Sequence, residues 1–307
     1  MKYIFFGTPE FAAVVLEKLI NAGYLPSAVV CNPDEPAGRK NILSSPPVKI
    51  LAVKNGIPVF QPEKPDEKFA EEIKKYPADL FIVAAYGKII PKEILDIPRL
   101  GALNIHGSLL PKYRGASPIQ AAILNGDKKT GATIMKIDEK MDHGPIISQA
   151  EIDMDRSDNF ETLSEKIAET GAKLLIKIIP DYLAGKIKPV AQRDSNATYT
   201  KIIKKEDGKI NWEKSAKEIE RMTRAFYPWP SAWTVWNGKI LKIFEASVFE
   251  TGNGKKIGEV FLDKNILAVK CGKGILSIEK LQLEGGKILS AREFLNGRKN
   301  FIGVILE

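Results

Sequence analysis

Asn104, His106 and Asp142 are the residues of this chain best suited to do chemistry together. His106 is one of only two histidines, and the other, His143, directly follows Asp142. Leu103 to His106 alternates apolar and polar types. A strand there points Asn104 and His106 to one face and Leu103 and Ile105 to the other. An imidazole beside a carboxylate can hold one tautomer, move a proton near neutral pH and support a developing charge. An asparagine amide next to it offers a neutral donor to an oxyanion. No serine or cysteine nucleophile stands in the motif, so direct attack by a substrate amine fits better than a covalent intermediate. Taken alone, a strand-end histidine is more often structural. The loop that follows, bracketed by Gly107 and Gly115 and stiffened by Pro111, favours a built site.

The elements that must position these groups follow a repeating rhythm. Tyr3–Phe6 reads as a buried strand, Thr8 as a helix cap before Pro9, and Gly23 as the helix stop. Strands are expected at Ala28–Cys31, Pro58–Phe60, Leu80–Ala85 and Leu103–His106, with helices between them and a loop over 32–40. Strands separated by helices in this way mean a parallel sheet wound by right-handed crossovers. Two further strands, Ala132–Ile137 and Ile146–Ile152, precede a long amphipathic helix, Phe160–Leu183. Gly185 onward is polar and charged with few large apolar residues. The expected division is therefore a first domain over 1–184, a linker over 185–207 and a second domain over 208–307. The second domain holds short β-rich runs punctuated by Gly or Asn, as in a small β-barrel.

Several function classes lose support. G-x-G-x-x-G is absent after the first strand, as are a P-loop and a G-x-S-x-G elbow, which argues against NAD-binding, NTPase and serine-hydrolase readings. Cys31 and Cys271 lack metal-ligand spacing and read as buried small hydrophobes, so no metal is expected. No apolar run reaches the roughly 18 residues of a membrane span, and the N-terminal apolar stretch is too short for a signal peptide. The expected setting is cytoplasmic. The net charge is +8, and residues 208–307 hold 17 Lys+Arg against 11 Asp+Glu together with all four tryptophans. A basic, aromatic-bearing module suits a polyanion such as nucleic acid, or a lysine-rich soluble surface; charge alone leaves both open.

The residues themselves point further. Asn104–Gly115 reads N-I-H-G-S-L-L-P-K-Y-R-G and Met141–Ile146 reads M-D-H-G-P-I. With F-F-G-T-P-E-F-A (5–12), N-P-D-E-P-A-G-R (32–39), A-A-Y-G (84–87) and R-A-F-Y-P-W-P (224–230), the whole chain closely resembles the methionyl-tRNA formyltransferases. The first of these motifs alone indicates only the wider group of formyl-folate transferases and hydrolases. The 32–39 loop and the 224–230 turn narrow it.

That resemblance implies an α/β chain: a Rossmann-like, mostly parallel formyltransferase domain, then a C-terminal OB-like β-barrel that binds tRNA. It implies 10-formyltetrahydrofolate as formyl donor, with no metal, and the methionine α-amine of initiator methionyl-tRNA as acceptor. It places Asn104, His106 and Asp142 at the catalytic positions, and Ser108, Leu109, Leu110 and Pro111 along the folate. Tyr86 and Gly87 lie against the pterin on this reading, although Tyr86 equally suits a packed core. Arg39, with Lys40, meets the acceptor-stem end of the tRNA. No membrane and no obligate protein partner are implied. The alternatives are a folate enzyme acting on a small amine, a formyltetrahydrofolate hydrolase, and a non-catalytic RNA-binding protein. Lys112 and Arg114 are read either as phosphate contacts or as solvated charge, and Trp229 as packing the start of the second domain.

Overall fold

The computed structural model describes residues 1–37, 42–249 and 254–307. It divides into two compact units. One comprises Met1–Pro118, Lys129–Asp153 and Ser164–Thr200, and the other Ile119–Lys128, Met154–Leu163 and Lys201–Glu307.

The first unit is built on a seven-stranded sheet. Its strands are β1 (Tyr3–Gly7), β2 (Ala28–Val30), β3 (Val59–Phe60), β4 (Leu80–Ala84), β5 (Ala102–His106), β6 (Lys129–Lys136) and β7 (Ile146–Asp153). They lie in the order β7-β6-β5-β4-β1-β2-β3, with β1 to β5 parallel, β6 antiparallel to β5 and β7 antiparallel to β6. Every residue of β1 and β4 is buried, which is why both read as unbroken apolar runs rather than alternating ones. The stretch over 32–40 is not a plain loop: Glu35–Ala37 pairs antiparallel with Ile42–Ser44.

The chain steps outward from β1 to β2 and β3, then returns on the other side of β1 as β4. This reversal makes a topological switch point between β1 and β4, where sites in such sheets gather. Thr8 sits there, and it does not cap the following helix. Its hydroxyl donates to the Tyr86 carbonyl and accepts from the Asn32 N–H, both at 3.2 Å, tying together the chain just past β1, β2 and β4. The helix Glu10–Asn21 starts after Pro9 with no side-chain cap.

Strand β5 is held from one side by the helix Phe160–Leu183. Ala168, Ala172, Leu175 and Ile179 join Leu103, Ile105 and Ile134 in one apolar cluster. Gly171 permits that approach, since a Cβ there would meet Cγ2 of Ile105 at 2.6 Å. Ala102 packs into the other cluster, with Ile4, Phe6, Phe81 and Val83. The alternation expected of β5 is thereby realised in its apolar residues.

The stretch expected to link two domains is divided between the units at Thr200. Val190 bridges Ile146, and Tyr199–Thr200 pairs in parallel with Arg114–Gly115. These attachments are backbone and polar, so they leave no apolar period in the sequence.

In the second unit the helix Ala216–Ala225 begins with a reciprocal cap: Ser215 Oγ accepts from the Glu218 N–H, and Glu218 Oε2 accepts from the Ser215 N–H. Its strands are β8 (Ala232–Trp236), β9 (Lys239–Phe249), β10 (Val260–Asp263), β11 (Ile266–Lys270), β12 (Ile275–Leu283) and β13 (Leu289–Ser290). They run antiparallel in the order β8-β9-β12-β11-β10, with β13 beside β12. Among the described residues this path is open at both ends. What the pairings form is a six-stranded sheet, and no closed barrel is detected. In its core Trp236 and Phe294 each meet Phe301 edge-on and lie tilted at 54° to one another. Trp229 does not pack as expected; the turn leaves it 57% exposed.

Cys31 and Cys271 are free and buried. Among the described residues no helix is long and apolar enough to cross a membrane.

Candidate active site

β5 ends on His106, only 5% exposed, whose Nε2 lies 2.9 Å from the Tyr113 carbonyl. A carbonyl can only accept, so Nε2 carries a proton in this arrangement. The other nitrogen, Nδ1, lies 3.6 Å from Asp142 Oδ1. That is too long for a hydrogen bond but within ion-pair range. Nδ1 is therefore the nitrogen able to take up a proton, with a carboxylate in place to support the cation. Asn104 is two residues earlier on the same strand and half-buried. Its amide makes no hydrogen bond among the described residues, so it is available to a ligand.

Asp142 is delivered by an unusual backbone. Its φ is +49°, in the left-handed region that costs a non-glycine residue on the order of 1 kcal/mol or more. Three hydrogen bonds offset this. The Gly115 N–H donates to Asp142 Oδ2 at 2.8 Å. Gln192 Nε2 donates to the Asp142 carbonyl at 2.9 Å and to the Gly144 carbonyl at 2.8 Å. Neither glycine tolerates a side chain: a Cβ would meet Thr200 O at 2.4 Å from Gly115 and Lys136 O at 1.8 Å from Gly144.

The Ser108–Pro111 loop is stapled to the sheet by one hydroxyl. Thr133 Oγ1 donates to Ser108 O at 2.6 Å and accepts from the Leu110 N–H at 3.1 Å and from Gln149 Nε2 at 2.9 Å. Gln149 also donates to Leu110 O at 2.8 Å. Ser108 Oγ is turned to Lys112 O at 2.5 Å, closing the loop on itself. Leu110 is buried, Leu109 is half-buried, and Pro111 gives its carbonyl to the Thr198 N–H at 3.3 Å. The loop that carries the expected folate residues is thus rigid and continuous with His106.

Tyr86 is placed differently from this group. It packs edge-on against Phe6, and its hydroxyl is buried without a hydrogen-bond partner. Burial pushes that phenol up to about 12. Gly87 follows with φ +83°, a conformation that favours glycine. Arg39 and Lys40, expected at the tRNA, lie outside the described residues.

Arg114 is neither solvated nor turned to a phosphate: its side chain is 1% exposed. Nε donates to Gln192 Oε1 at 3.0 Å, one terminal nitrogen to Tyr199 OH at 3.1 Å, and the other to Asp194 Oδ1 at 2.9 Å. That guanidinium, through its hydrogen bond, holds the Asp194 carboxyl below the usual carboxylate range. His143 lies at the edge of the same set, with Nδ1 2.7 Å from Asp138 Oδ2 and Nε2 3.6 Å from the Asp194 Oδ1 that Arg114 also meets. Sequence reasoning missed Thr133, Gln149 and Gln192 altogether. The one related signal in the sequence is Gly115, read as closing the loop, which takes φ +108° in the structure.

Residues 1–179 match the family described as formyl transferase, and residues 202–299 its C-terminal domain. A methionyl-tRNA formyltransferase of Thermodesulfovibrio yellowstonii is 48% identical over 96% of both chains. One from Lachnospira eligens is 43% identical over 100% of this chain and 99% of its own. An N-formyltransferase from Helicobacter canadensis, solved with folinic acid and dTDP-3-aminofucose, shares the fold at TM-score 0.66. It is 21% identical, with 91% of this chain and 98% of that one covered.

Proposed function

The chain belongs to the methionyl-tRNA formyltransferase family, and from that footing we propose how its residues carry the reaction. It transfers a formyl group from 10-formyltetrahydrofolate to the α-amine of methionine on initiator methionyl-tRNA. The observation that carries this reading is Asn104 and His106 side by side on β5, with Asp142 3.6 Å from His106 Nδ1.

The free amine attacks the formyl carbon, giving a tetrahedral oxyanion that collapses as the bond to N10 of the folate breaks. Asn104 donates to that oxyanion through its unpaired amide, an effect worth on the order of 3 kcal/mol for one such donor. His106 Nε2–H is committed to Tyr113 O. Its contribution therefore runs through Nδ1, which takes the proton leaving the amine and returns it to N10. Asp142 supports the imidazolium between those two events. Ser108–Pro111 forms the folate wall, its backbone held by Thr133 and Gln149. Tyr86 and Gly87 shape the same end of the sheet, past β4.

The tRNA is met by Arg39, by Lys40 and by the second unit. We assign a catalytic body to 1–184, a linker to 185–207, whose residues 190–200 pair onto that body, and a tRNA-binding domain to 208–307. The OB-like reading of that domain is supported by five consecutively paired strands, since such folds are partly open barrels. A cytoplasmic setting follows from a role in translation initiation.

The test mixes purified protein with 10-formyltetrahydrofolate and methionyl-initiator tRNA, with uncharged and elongator tRNAs as controls. Formyl-methionyl product from the initiator alone is expected. No product, or equal product from the elongator, would overturn the assignment.

A further inference from the structure

Among the described residues Arg114 is the only charged side chain in the set of largest fully buried ones, and the proposed chemistry leaves it unused. Taking a guanidinium out of water costs several kcal/mol unless its donors are paired. Here three donors are paired, and all three acceptors lie on one short stretch, Gln192, Asp194 and Tyr199. The same stretch is stitched to the site loop by its backbone. Tyr113 N–H donates to Thr198 Oγ1 at 2.8 Å, Arg114 N–H to Thr198 O at 2.8 Å, and Ser117 N–H to Thr200 Oγ1 at 3.0 Å.

Gln192 is where this strap reaches the site. Its oxygen accepts from Arg114 Nε while its amide donates to both Asp142 O and Gly144 O. With the oxygen fixed on Arg114, the amide can face only the two carbonyls, so Arg114 sets the orientation of Gln192. Resting on the transfer reaction proposed above, we infer that Arg114 and Gln192 are positioning residues. They hold the left-handed turn at Asp142 so that its carboxylate faces His106 Nδ1. Neither residue touches the reacting atoms. They act through Asp142, and substrate binding does not depend on them.

The test is steady-state kinetics on the full chain with methionyl-initiator tRNA and 10-formyltetrahydrofolate, comparing wild type, Q192A, R114K, D142N and D142N/Q192A. R114K keeps the charge but loses the fork that reaches three acceptors. Displacing a catalytic group by an ångström can cost on the order of a hundredfold. We expect Q192A and R114K to lower kcat about 10- to 50-fold, with KM for both substrates within about threefold. In the D142N background the Q192A loss should shrink to about twofold or less, because the group it positions is already disabled. Should R114K fail to fold, Q192A and the cycle decide. Wild-type kcat in Q192A overturns the inference, as does an equal Q192A loss with and without Asp142. A wild-type protein that makes no formyl-methionyl product overturns the functional reading instead.

Discussion

In the first unit the buried polar groups share partners. Thr133 gathers Ser108, Leu110 and Gln149 around one hydroxyl, and Gln192 joins Arg114 to Asp142 and Gly144, beside the His106–Tyr113 bond at the end of β5. In the second unit the buried hydroxyls mostly serve backbone carbonyls. Thr223 donates to Glu220 O and Ser231 to Pro228 O, each three residues away, while Thr234 donates to Glu307 O and accepts from the Trp212 indole N–H. Isolated hydroxyls of this kind satisfy a backbone. A shared network in a low dielectric is stable only when every member is paired, so it specifies one arrangement of its side chains. The second unit carries its excess charge on its surface instead. The contrast accords with the proposal of bond-making in the first unit and polyanion binding in the second.

The largest effects should come from the reacting side chains. N104A and D142A are expected to lower kcat about 100- to 1000-fold while the folate dissociation constant stays within about threefold. Steady-state rates and folate titration check this, and a parallel loss of folate affinity would move these residues from chemistry to binding. T133V comes next. It removes a hydroxyl with three partners, and unpaired buried groups cost about 1–3 kcal/mol each. About a tenfold loss in kcat/KM for the folate is expected, measured with tRNA saturating.

The second unit should respond differently. Charge reversal at the exposed Lys209, Lys239 and Lys287 is expected to raise KM for tRNA about fivefold and leave kcat unchanged. The salt dependence of tRNA binding should flatten by about one unit of slope for each phosphate no longer neutralised. An unaltered slope would remove these lysines from the tRNA surface. The smallest effect belongs to Asp194. Its carboxyl is held below its ordinary range by Arg114, so its stabilising contribution is complete above the unfolded carboxylate pKa of about 4. That contribution is lost as pH falls through the depressed folded value. The thermal midpoints of wild type and D194N should differ at neutral pH and converge in stronger acid.

Much of the first unit was legible because its signals are local. β1 and β4 are apolar runs, and β5 announces its two faces through the alternation Leu103-Asn104-Ile105-His106. The nearness of His106 to Asp142, with Asn104 on the same strand, has signals of the same kind, polar types at strand-end and glycine-flanked positions. Thr8 was misread because a threonine before proline looks like a cap, whereas the switch point offers it two strand ends instead. Arg114 and Gln192 were not legible. Their partners lie 48 to 85 residues away, and a charge gives no sign in the sequence that it will be buried. Strand spacing likewise foretold the β-rich second unit without settling whether its sheet closes. Trp229 shows the converse, a residue expected to be packed that the fold leaves open to solvent.

The most direct test of the division between the units is the single-turnover formylation rate of H106A, with protein in excess over methionyl-initiator tRNA and folate saturating. The expected result is a chemical step slowed at least about 100-fold with tRNA affinity within about twofold of wild type. A single-turnover rate equal to wild type, or a loss explained wholly by weaker tRNA binding, would contradict the assignment of chemistry to the β5 site.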